Sequence, residues 1–314
     1  MAKLSLIDNL CYHLSMSDFY GILPAVVTPL DDGESFRPDS YARLVERLYS
    51  AGVDGLYVCG QTGEGLQQSV LQRKAVAEES VRLSPRGKTV IVHVGAASTA
   101  DALELTRHAG RIGAHAISSL PPAGNYSFGE IREYYRALAA ASDVPLLVYY
   151  FPSISAAIRT TDQILELCEL PNVAGLKFTD SDFFRLWAIR QTGAVAFNGF
   201  DEMLIAGLIM GASGGIGSTY NLIPETFVSL YKHAAAARWE EARRIQDRIN
   251  EFIAVVLHYP VQAAVKAILG WSGIDCGKCI APRRPLTEQE ESNLQARIGA
   301  TELGRDLLVA EQRG

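Results

Sequence analysis

The sequence predicts a (β/α)8 TIM barrel followed by a helical segment at the C-terminus. From residue 20 onward, short apolar runs rich in β-branched and aromatic residues alternate with longer amphipathic stretches. Eight such alternations imply eight βαβ units with parallel strands, which is the number that closes a sheet into a barrel. A doubly wound open sheet is the alternative. Residues 28–33, which follow the first strand, lack the glycine-rich dinucleotide turn typical of that fold.

Each predicted strand is a short apolar run that ends at turn-forming or polar residues. In chain order, the predicted strands are residues 21–28, 55–59, 89–94, 116–120, 146–151, 174–179, 194–198 and 214–218. Helical spacing of apolar residues fills the gaps, and Ser98 and Ser127 are suited to cap two of these helices, with Asp101 and Glu130 in their first turns. Examples of the helices predicted from this spacing are residues 39–51, 70–83, 99–112 and 128–141.

Strand signals stop at about residue 235, where a separate helical segment is predicted to begin. Its helices are predicted at residues 239–257, 261–269 and 288–298, separated by proline and glycine. The predicted organisation is therefore an N-terminal extension over residues 1–19, a barrel that carries the catalytic site over residues 20–234, and a C-terminal helical segment over residues 235–314.

Composition and charge exclude several classes of function. The 314 residues are 48% hydrophobic and 20% charged, with a net charge of -6, so there is no basic footprint for nucleic acid. No run of about 18 apolar residues is present, and no membrane partner is expected. The first twenty residues lack a basic start and a small-residue cleavage site, so no secretory signal is predicted. Five dispersed cysteines make no disulfide framework, and a cytoplasmic protein is expected.

The pair Cys276 and Cys279 forms a lone CxxC motif. A zinc site would need a second pair or nearby histidines, and neither follows in the sequence. A redox pair and two reduced cysteines in a loop are the alternatives. His93, centred in an apolar strand, is expected to be a hydrogen-bonded core residue because no other ligand lies at metal-binding spacing. The sequence thus predicts no metal site.

Lys177 is the most informative candidate for chemistry. It lies in an otherwise apolar predicted strand, where burial of an ammonium group is costly and favours the neutral amine. A neutral lysine amine is a nucleophile that forms a Schiff base with a carbonyl carbon. An edge-strand lysine that snorkels to water is the alternative. Cleavage of a carbon–carbon bond beside a ketone needs an electron sink, and an imine on Lys177 supplies one without a metal or external cofactor.

Other candidate site residues follow the predicted strands, at the barrel end where chemistry gathers. The turn 60–65 offers backbone N–H groups and the Thr62 hydroxyl to an anion such as a carboxylate, although a plain βα turn with a solvated Glu64 is the alternative. Tyr149 is a candidate for proton transfer or a core tyrosine. Thr179 shares the strand parity of Lys177 and is expected to face the same side.

The residues resemble the superfamily of dihydrodipicolinate synthases and N-acetylneuraminate lyases, which are pyruvate-dependent class I aldolases. The resemblance covers about residues 20–300 and rests on the run 60–64, on Tyr149 three residues before a proline, and on Gly175-Leu-Lys177. It implies a homotetramer of (β/α)8 barrels. It also implies that Lys177 forms the Schiff base, that Tyr149 transfers protons, and that Gln61 and Thr62 hold the pyruvate carboxylate.

Within this superfamily the lyase branch is the more similar one. Residues 177–179, 198–202 and 214–221 carry this similarity, while Ile154 stands where the synthase branch has an arginine for a second carboxylate. The sugar contacts implied by the resemblance are Thr179, Gly199, Asp201, Glu202 and Ser218. For Asp201 and Glu202, negative charge at a helix start is the alternative.

The expected reaction is cleavage of a 2-keto-3-deoxy sugar acid, with N-acetylneuraminate giving pyruvate and N-acetylmannosamine. A 2-keto-3-deoxygluconate-type aldolase, a sugar-acid dehydratase and a non-catalytic sugar-acid binding protein are the alternatives. Two positions depart from the family pattern. Gln61 replaces a serine or threonine, and Ala123 stands near the place of a tyrosine that many members lend to a neighbouring subunit, with Tyr126 close by.

Overall fold

The computed structural model describes residues 19–310 and contains the predicted barrel. Its eight strands are parallel and lie in the order β1-β8-β7-β6-β5-β4-β3-β2. A parallel bridge between Ala25 and Tyr57, with Val26 N donating to Tyr57 O at 2.9 Å, joins β1 to β2 and closes the sheet. The strands are β1 Gly21–Pro24, β2 Gly55–Val58, β3 Thr89–His93, β4 Ala116–Ser119, β5 Leu146–Tyr150, β6 Val173–Phe178, β7 Val195–Asn198 and β8 Gly214–Gly217.

Helices follow the strands around the barrel, and further helices follow β8. They are α1 Pro38–Ser50, α2 Val70–Leu83, α3 Thr99–Arg111, α4 Phe128–Ala140, α5 Thr161–Cys168, α6 Phe183–Gln191, α7 Leu204–Ile209, α8 Pro224–Ala235, α9 Trp239–Val256, α10 Val261–Trp271, α11 Glu288–Ala300 and α12 Glu302–Ala310. Ser98 and Ser127 cap α3 and α4 as predicted, and Ser127 forms a capping box with Glu130. Helix α12 was not predicted. The predicted extension over residues 1–19 lies outside the described residues except for its last position.

Side chains sort into two apolar groups on the two faces of the barrel wall. Tyr149 belongs to the interior group and Tyr150 to the group between the strands and the helices, as strand alternation predicts. Phe19, which precedes β1, is part of the interior group. The other buried interior residues are Leu23, Ala25, Tyr57, Ile91, Ala116, Leu120, Leu147, Val195, Phe197 and Ile216.

A bulge in β6 sets which of its residues face the interior. Leu146 pairs with Val173 and Leu147 with Gly175, so one residue of β6 is left over. Gly175 has φ +154, and a Cβ at this position would lie 1.9 Å from Val195 O. Beyond the bulge, Tyr149 pairs with Lys177 and Lys177 with Phe197. The bulge therefore brings Lys177 level with the interior tyrosine of β5.

The C-terminal helices pack against the barrel and against one another. Gln246 of α9 accepts a hydrogen bond from Ile205 N at 3.0 Å and donates one to Asp201 O at 3.2 Å. Over residues 19–310, no single helix is long and apolar enough to cross a membrane. The pair α9 and α10 meets that length and composition only when taken together, with a bend of 107° between them.

Candidate active site

Lys177 lies near the C-terminal end of β6 and is 5% exposed. Its Nζ lies 4.3 Å from the ring centroid of Tyr149 and 4.6 Å from that of Tyr57. Burial lowers the pKa of Lys177 to about 7, while the carboxylate of Asp201 acts in the opposite direction. The amine is thus enclosed rather than snorkelling to water. Near neutral pH a large fraction of it is unprotonated and nucleophilic.

Tyr149 presents its ring to the lysine from the neighbouring strand. The ring packs edge-on against Tyr57 and His93, with centroids 6.1 and 6.2 Å away, and stacks on Phe151. Burial raises the pKa of Tyr149, and the neighbouring hydroxyl of Thr179 opposes this shift. The phenol is therefore neutral in the free protein and holds a proton beside the amine.

Thr179 and Gly199 form one tightly packed wall of the site. A Cβ at Gly199 would lie 1.9 Å from Thr179 Oγ1, so only glycine allows this approach. Gly199 N donates to Phe178 O at 2.8 Å, which fixes the start of the loop after β7. Thr179 Oγ1 is buried and makes no hydrogen bond of standard geometry within residues 19–310, although it lies close enough to the Tyr149 hydroxyl to lower the pKa of that group. A polar atom in this state is available to a bound hydroxyl.

Asp201 lies in a short 3₁₀ helix, Asp201–Met203, directly after that loop. Its Oδ2 accepts hydrogen bonds from Thr219 N at 2.7 Å and from Thr219 Oγ1 at 2.6 Å. Burial raises the pKa of Asp201 to about 6, against the lowering effect of these bonds and of Lys177. Asp201 therefore ties the β7 loop to the β8 loop beneath the site. Glu202, in the same turn, is half-buried.

The turn 60–65 after β2 faces the loop after β8. Thr62 Oγ1 and Ser218 Oγ lie 2.6 Å apart and share a hydrogen bond. Gln61 Oε1 instead accepts a hydrogen bond from Arg283 Nη2, at 3.3 Å, so its amide is directed toward the C-terminal segment. The turn does not lead straight into a helix, because α2 begins only at Val70 with Ser69 as its cap.

The alternative interpretation of Glu64 as a solvated acid is wrong. Glu64 is fully buried rather than solvated, and Lys266 Nζ of α10 lies 2.7 Å from its Oε1. Its Oε2 accepts a hydrogen bond from Ile280 N at 2.7 Å. The burying partners lie far along the chain, which explains why local sequence could not reveal them.

His93 and the CxxC motif remain outside the chemistry. His93 Nε2 accepts from Leu120 N at 3.1 Å, and burial lowers the pKa of His93 well below its usual value, so the core interpretation is confirmed. Cys276 and Cys279 are buried free thiols whose pKa values burial raises to about 12 and about 11. Within residues 19–310 no group of three or more His, Cys, Asp or Glu residues is placed to hold a metal ion.

The positions that depart from the family pattern, or separate its branches, lie on exposed loops at the same barrel edge. Ala123 and Tyr126 follow β4, and Ile154 follows β5; all three are exposed. The half-buried Gln61 is the exception, since it contacts the C-terminal segment.

Three residues near the site were missed from the sequence. Tyr57 has a usable signal, since it is an aromatic residue at an alternating position of a predicted strand. Thr219 and Arg283 have none, because their contacts with Asp201 and Gln61 depend on the closed barrel and on the C-terminal segment.

Comparison with known proteins identifies the family of the chain. The Dihydrodipicolinate synthetase family model matches residues 18–301. The N-acetylneuraminate lyase of Rhizobium meliloti (strain 1021) is 40% identical over 279 residues, covering 88% of this chain and 92% of its own. That of Enterobacter sp. (strain 638) is 36% identical over 282 residues, covering 88% and 95%.

A solved structure, the catalytic lysine mutant of the Ruminococcus gnavus sialic acid aldolase, superposes with a TM-score of 0.87 at 29% identity. The match covers 95% of this chain and 99% of that one. The resemblance inferred from the sequence is confirmed by a family model that spans most of the chain and by the two lyases that are 40% and 36% identical to it. The chain belongs to the dihydrodipicolinate synthetase family.

Proposed function

We propose that this protein is a carbon–carbon lyase that cleaves N-acetylneuraminate to pyruvate and N-acetylmannosamine through a Schiff base on Lys177. The observation that carries the proposal is the buried amine of Lys177, with its lowered pKa, 4.3 Å from the ring centroid of Tyr149. Relatives named N-acetylneuraminate lyase and a structural neighbour named sialic acid aldolase support the substrate.

The first step joins the amine to the ketone of the open-chain sugar acid. Lys177 Nζ attacks the C2 carbonyl carbon, and a carbinolamine forms after a proton moves from nitrogen to oxygen. The Tyr149 phenol then gives its proton to the departing hydroxyl, which leaves as water. An iminium cation remains on Lys177 beside a tyrosinate. The cation appears next to the ring, so it favours the tyrosinate that burial otherwise opposes.

The second step breaks the C3–C4 bond. The tyrosinate of Tyr149 takes the proton of the C4 hydroxyl, and the C3–C4 electron pair moves into the iminium, giving an enamine and the aldehyde of N-acetylmannosamine. Tyr149 then returns a proton to C3. Water hydrolyses the resulting iminium, which releases pyruvate, restores the neutral amine and returns a proton to the tyrosinate of Tyr149. The imine is the electron sink, so the scheme uses no metal and no external cofactor.

The remaining site residues are assigned to different parts of the substrate. We assign the carboxylate to Thr62 and to backbone N–H groups of the turn 60–65, while Ser218, which the resemblance assigned to the sugar, shares a hydrogen bond with Thr62. Gln61 belongs to the same turn, and its Oε1 accepts a hydrogen bond from Arg283.

The hydroxyl chain is assigned to the loop after β7. Thr179 Oγ1 makes no hydrogen bond of standard geometry within the described chain, Gly199 packs directly against it, and Glu202 is half-buried. Asp201 contributes by holding Thr219 rather than through a free carboxylate.

We propose further that the enzyme acts in the cytoplasm as a homotetramer on small-molecule substrates. The resemblance to class I aldolases of this family supports this assembly. We also assign the catalytic barrel to residues 20–234 and the helical segment to residues 235–314. Light scattering on the purified protein gives the mass of the assembly. A monomeric mass would contradict the proposed tetramer but would not bear on the proposed reaction.

Borohydride trapping tests the reaction directly. The protein is incubated with N-acetylneuraminate or with pyruvate, reduced, digested and mapped by mass spectrometry. A reduced pyruvate adduct on Lys177 is expected in both samples. The Lys177→Arg variant should give none, whereas the matched change Lys232→Arg on the exposed face of α8 should label normally. An adduct from pyruvate alone would discard the substrate, and no adduct in either sample would discard the chemistry.

A further inference from the structure

A buried ion pair connects the turn 60–65 to the C-terminal helical segment. Lys266 Nζ of α10 lies 2.7 Å from Glu64 Oε1, and the two side chains are 2% and 0% exposed. Lys266 Nζ also donates to Lys278 O at 2.8 Å, and Ile280 N donates to Glu64 Oε2 at 2.7 Å. Both charges therefore have partners, and all but Glu64 come from a part of the chain that follows the barrel.

The pair is placed where the backbone needs external support. Cys59, directly before the turn, and Glu64, near its end, have φ 58 and φ 55, in the left-handed region that residues other than glycine seldom adopt. Such a conformation persists only where the surroundings hold it. A buried ion pair adds little to global stability, but it fixes one arrangement because either charge alone is strongly unfavourable.

The turn between these two positions carries the residues assigned to the carboxylate. Thr62 faces Ser218 inside the barrel mouth, and Gln61 Oε1 accepts from Arg283 Nη2 at 3.3 Å. The C-terminal segment thus holds the turn at two points, Glu64 and Gln61, while Thr62 is left to face the site.

We propose that Glu64 and Lys266 are positioning residues, which hold the turn 60–65 in the geometry that receives the carboxylate of the keto acid. The inference rests on the proposed function, since it assumes that this turn binds the carboxylate. It assigns to the C-terminal helices a part in substrate affinity. Neither residue touches the reacting atoms, so loss of the pair should weaken carboxylate binding and leave the amine chemistry of Lys177 intact.

Two ketones separate these effects. Pyruvate carries the carboxylate, whereas hydroxyacetone has a similar carbonyl and no carboxylate. The Glu64→Gln variant keeps an acceptor for Ile280 N and removes the charge. In borohydride trapping at Lys177, its half-saturating pyruvate concentration should rise about tenfold or more, while the yield at saturation and the trapping of hydroxyacetone stay at wild-type levels. With N-acetylneuraminate, KM should rise and kcat should not.

The matched control is Lys74→Met, which removes a lysine from the Lys74–Glu104 ion pair between α2 and α3. It should leave both ketones unaffected. Because Glu64→Gln leaves Lys266 buried and unpaired, the double variant Glu64→Gln/Lys266→Met removes both charges together and is expected to fold. Its half-saturating pyruvate concentration for trapping at Lys177 should also rise.

A folded variant of the pair that traps pyruvate with the wild-type half-saturation would overturn the inference. Equal losses for pyruvate and hydroxyacetone would do the same, since they would indicate general damage to the site. Absence of any pyruvate adduct in the wild-type protein would instead remove the proposed function itself.

Discussion

The pH dependence of imine formation on Lys177 is the most direct physical test of the site. Burial lowers its pKa from 10.5 to about 7. At pH 7 a lysine with the unperturbed value has a neutral amine in about one molecule in 3,000, whereas a pKa of about 7 gives about half. The structure therefore predicts a gain of about a thousandfold in reactive amine at neutral pH.

The rate of imine formation should rise about tenfold per pH unit below 7 and level off above it. Samples are exposed to pyruvate briefly at each pH and quenched into borohydride at one common pH, and the Lys177 peptide is quantified. The exposed Lys232 in the same digest serves as an internal comparison. A Lys177 midpoint above about 9 would refute the burial argument.

The Asp201→Asn variant gives the sign of the electrostatic contribution. The carboxylate of Asp201 raises the pKa of Lys177 against the effect of burial, so its removal should move the midpoint toward lower pH. A shift toward higher pH would show that Asp201 acts on the lysine mainly through hydration of the site rather than through its charge.

Three further expectations follow from the same geometry. Lys177→Met should stabilise the protein by a few kcal/mol at pH 7 and below, because the folded state no longer has to bury an ammonium group or release its proton. The gain should fade as the pH rises from 7 to 10.5, where an unfolded lysine also loses its proton; denaturant titrations at several pH values check this, and a gain that does not change with pH would contradict it. Tyr149→Phe should lower kcat by about 100-fold to 10,000-fold with little change in KM, and an unchanged kcat in steady-state assays would exclude proton transfer by this residue. Glu202→Gln should reduce kcat/KM for N-acetylneuraminate by about tenfold but spare 2-keto-3-deoxygluconate, whose chain is shorter; equal losses on both substrates would remove Glu202 from the sugar contacts.

Much of the barrel could be predicted from the sequence because its signals are local. The alternation of apolar runs and amphipathic stretches indicated the eight strands, and Ser98 and Ser127 were recognised as helix caps. The ends of the strands were predicted less accurately than their positions along the chain. The first strand was predicted over residues 21–28, but β1 is Gly21–Pro24, and the buried residues that follow include Ala25 in an isolated bridge. Buried loop residues and strand residues share the same apolar pattern, so sequence alone does not separate them.

The site was predictable only where strand parity decides it. Lys177 and Thr179 are both buried, since the bulge in β6 lies before both and shifts them together. The burial of Glu64 could not be predicted from strand parity. Its partner Ile280 lies 216 residues further along the chain, and the partner of Gln61, Arg283, lies 222 residues away. Contacts of that kind depend on how the C-terminal segment packs, which no local pattern encodes.

The reactivity of Lys177 and the stability of the barrel have the same physical origin. Strand pairing sets Lys177 between Tyr149 and Phe197, and Phe197 belongs with Leu147 to the buried interior group. Exclusion of water by this group provides hydrophobic stabilisation, and the same exclusion disfavours the charged form of the amine. A substitution that opens the interior, such as Phe197→Ala, should therefore lower stability and raise the pKa of Lys177 together. An amine activated by burial requires a closely packed barrel around it.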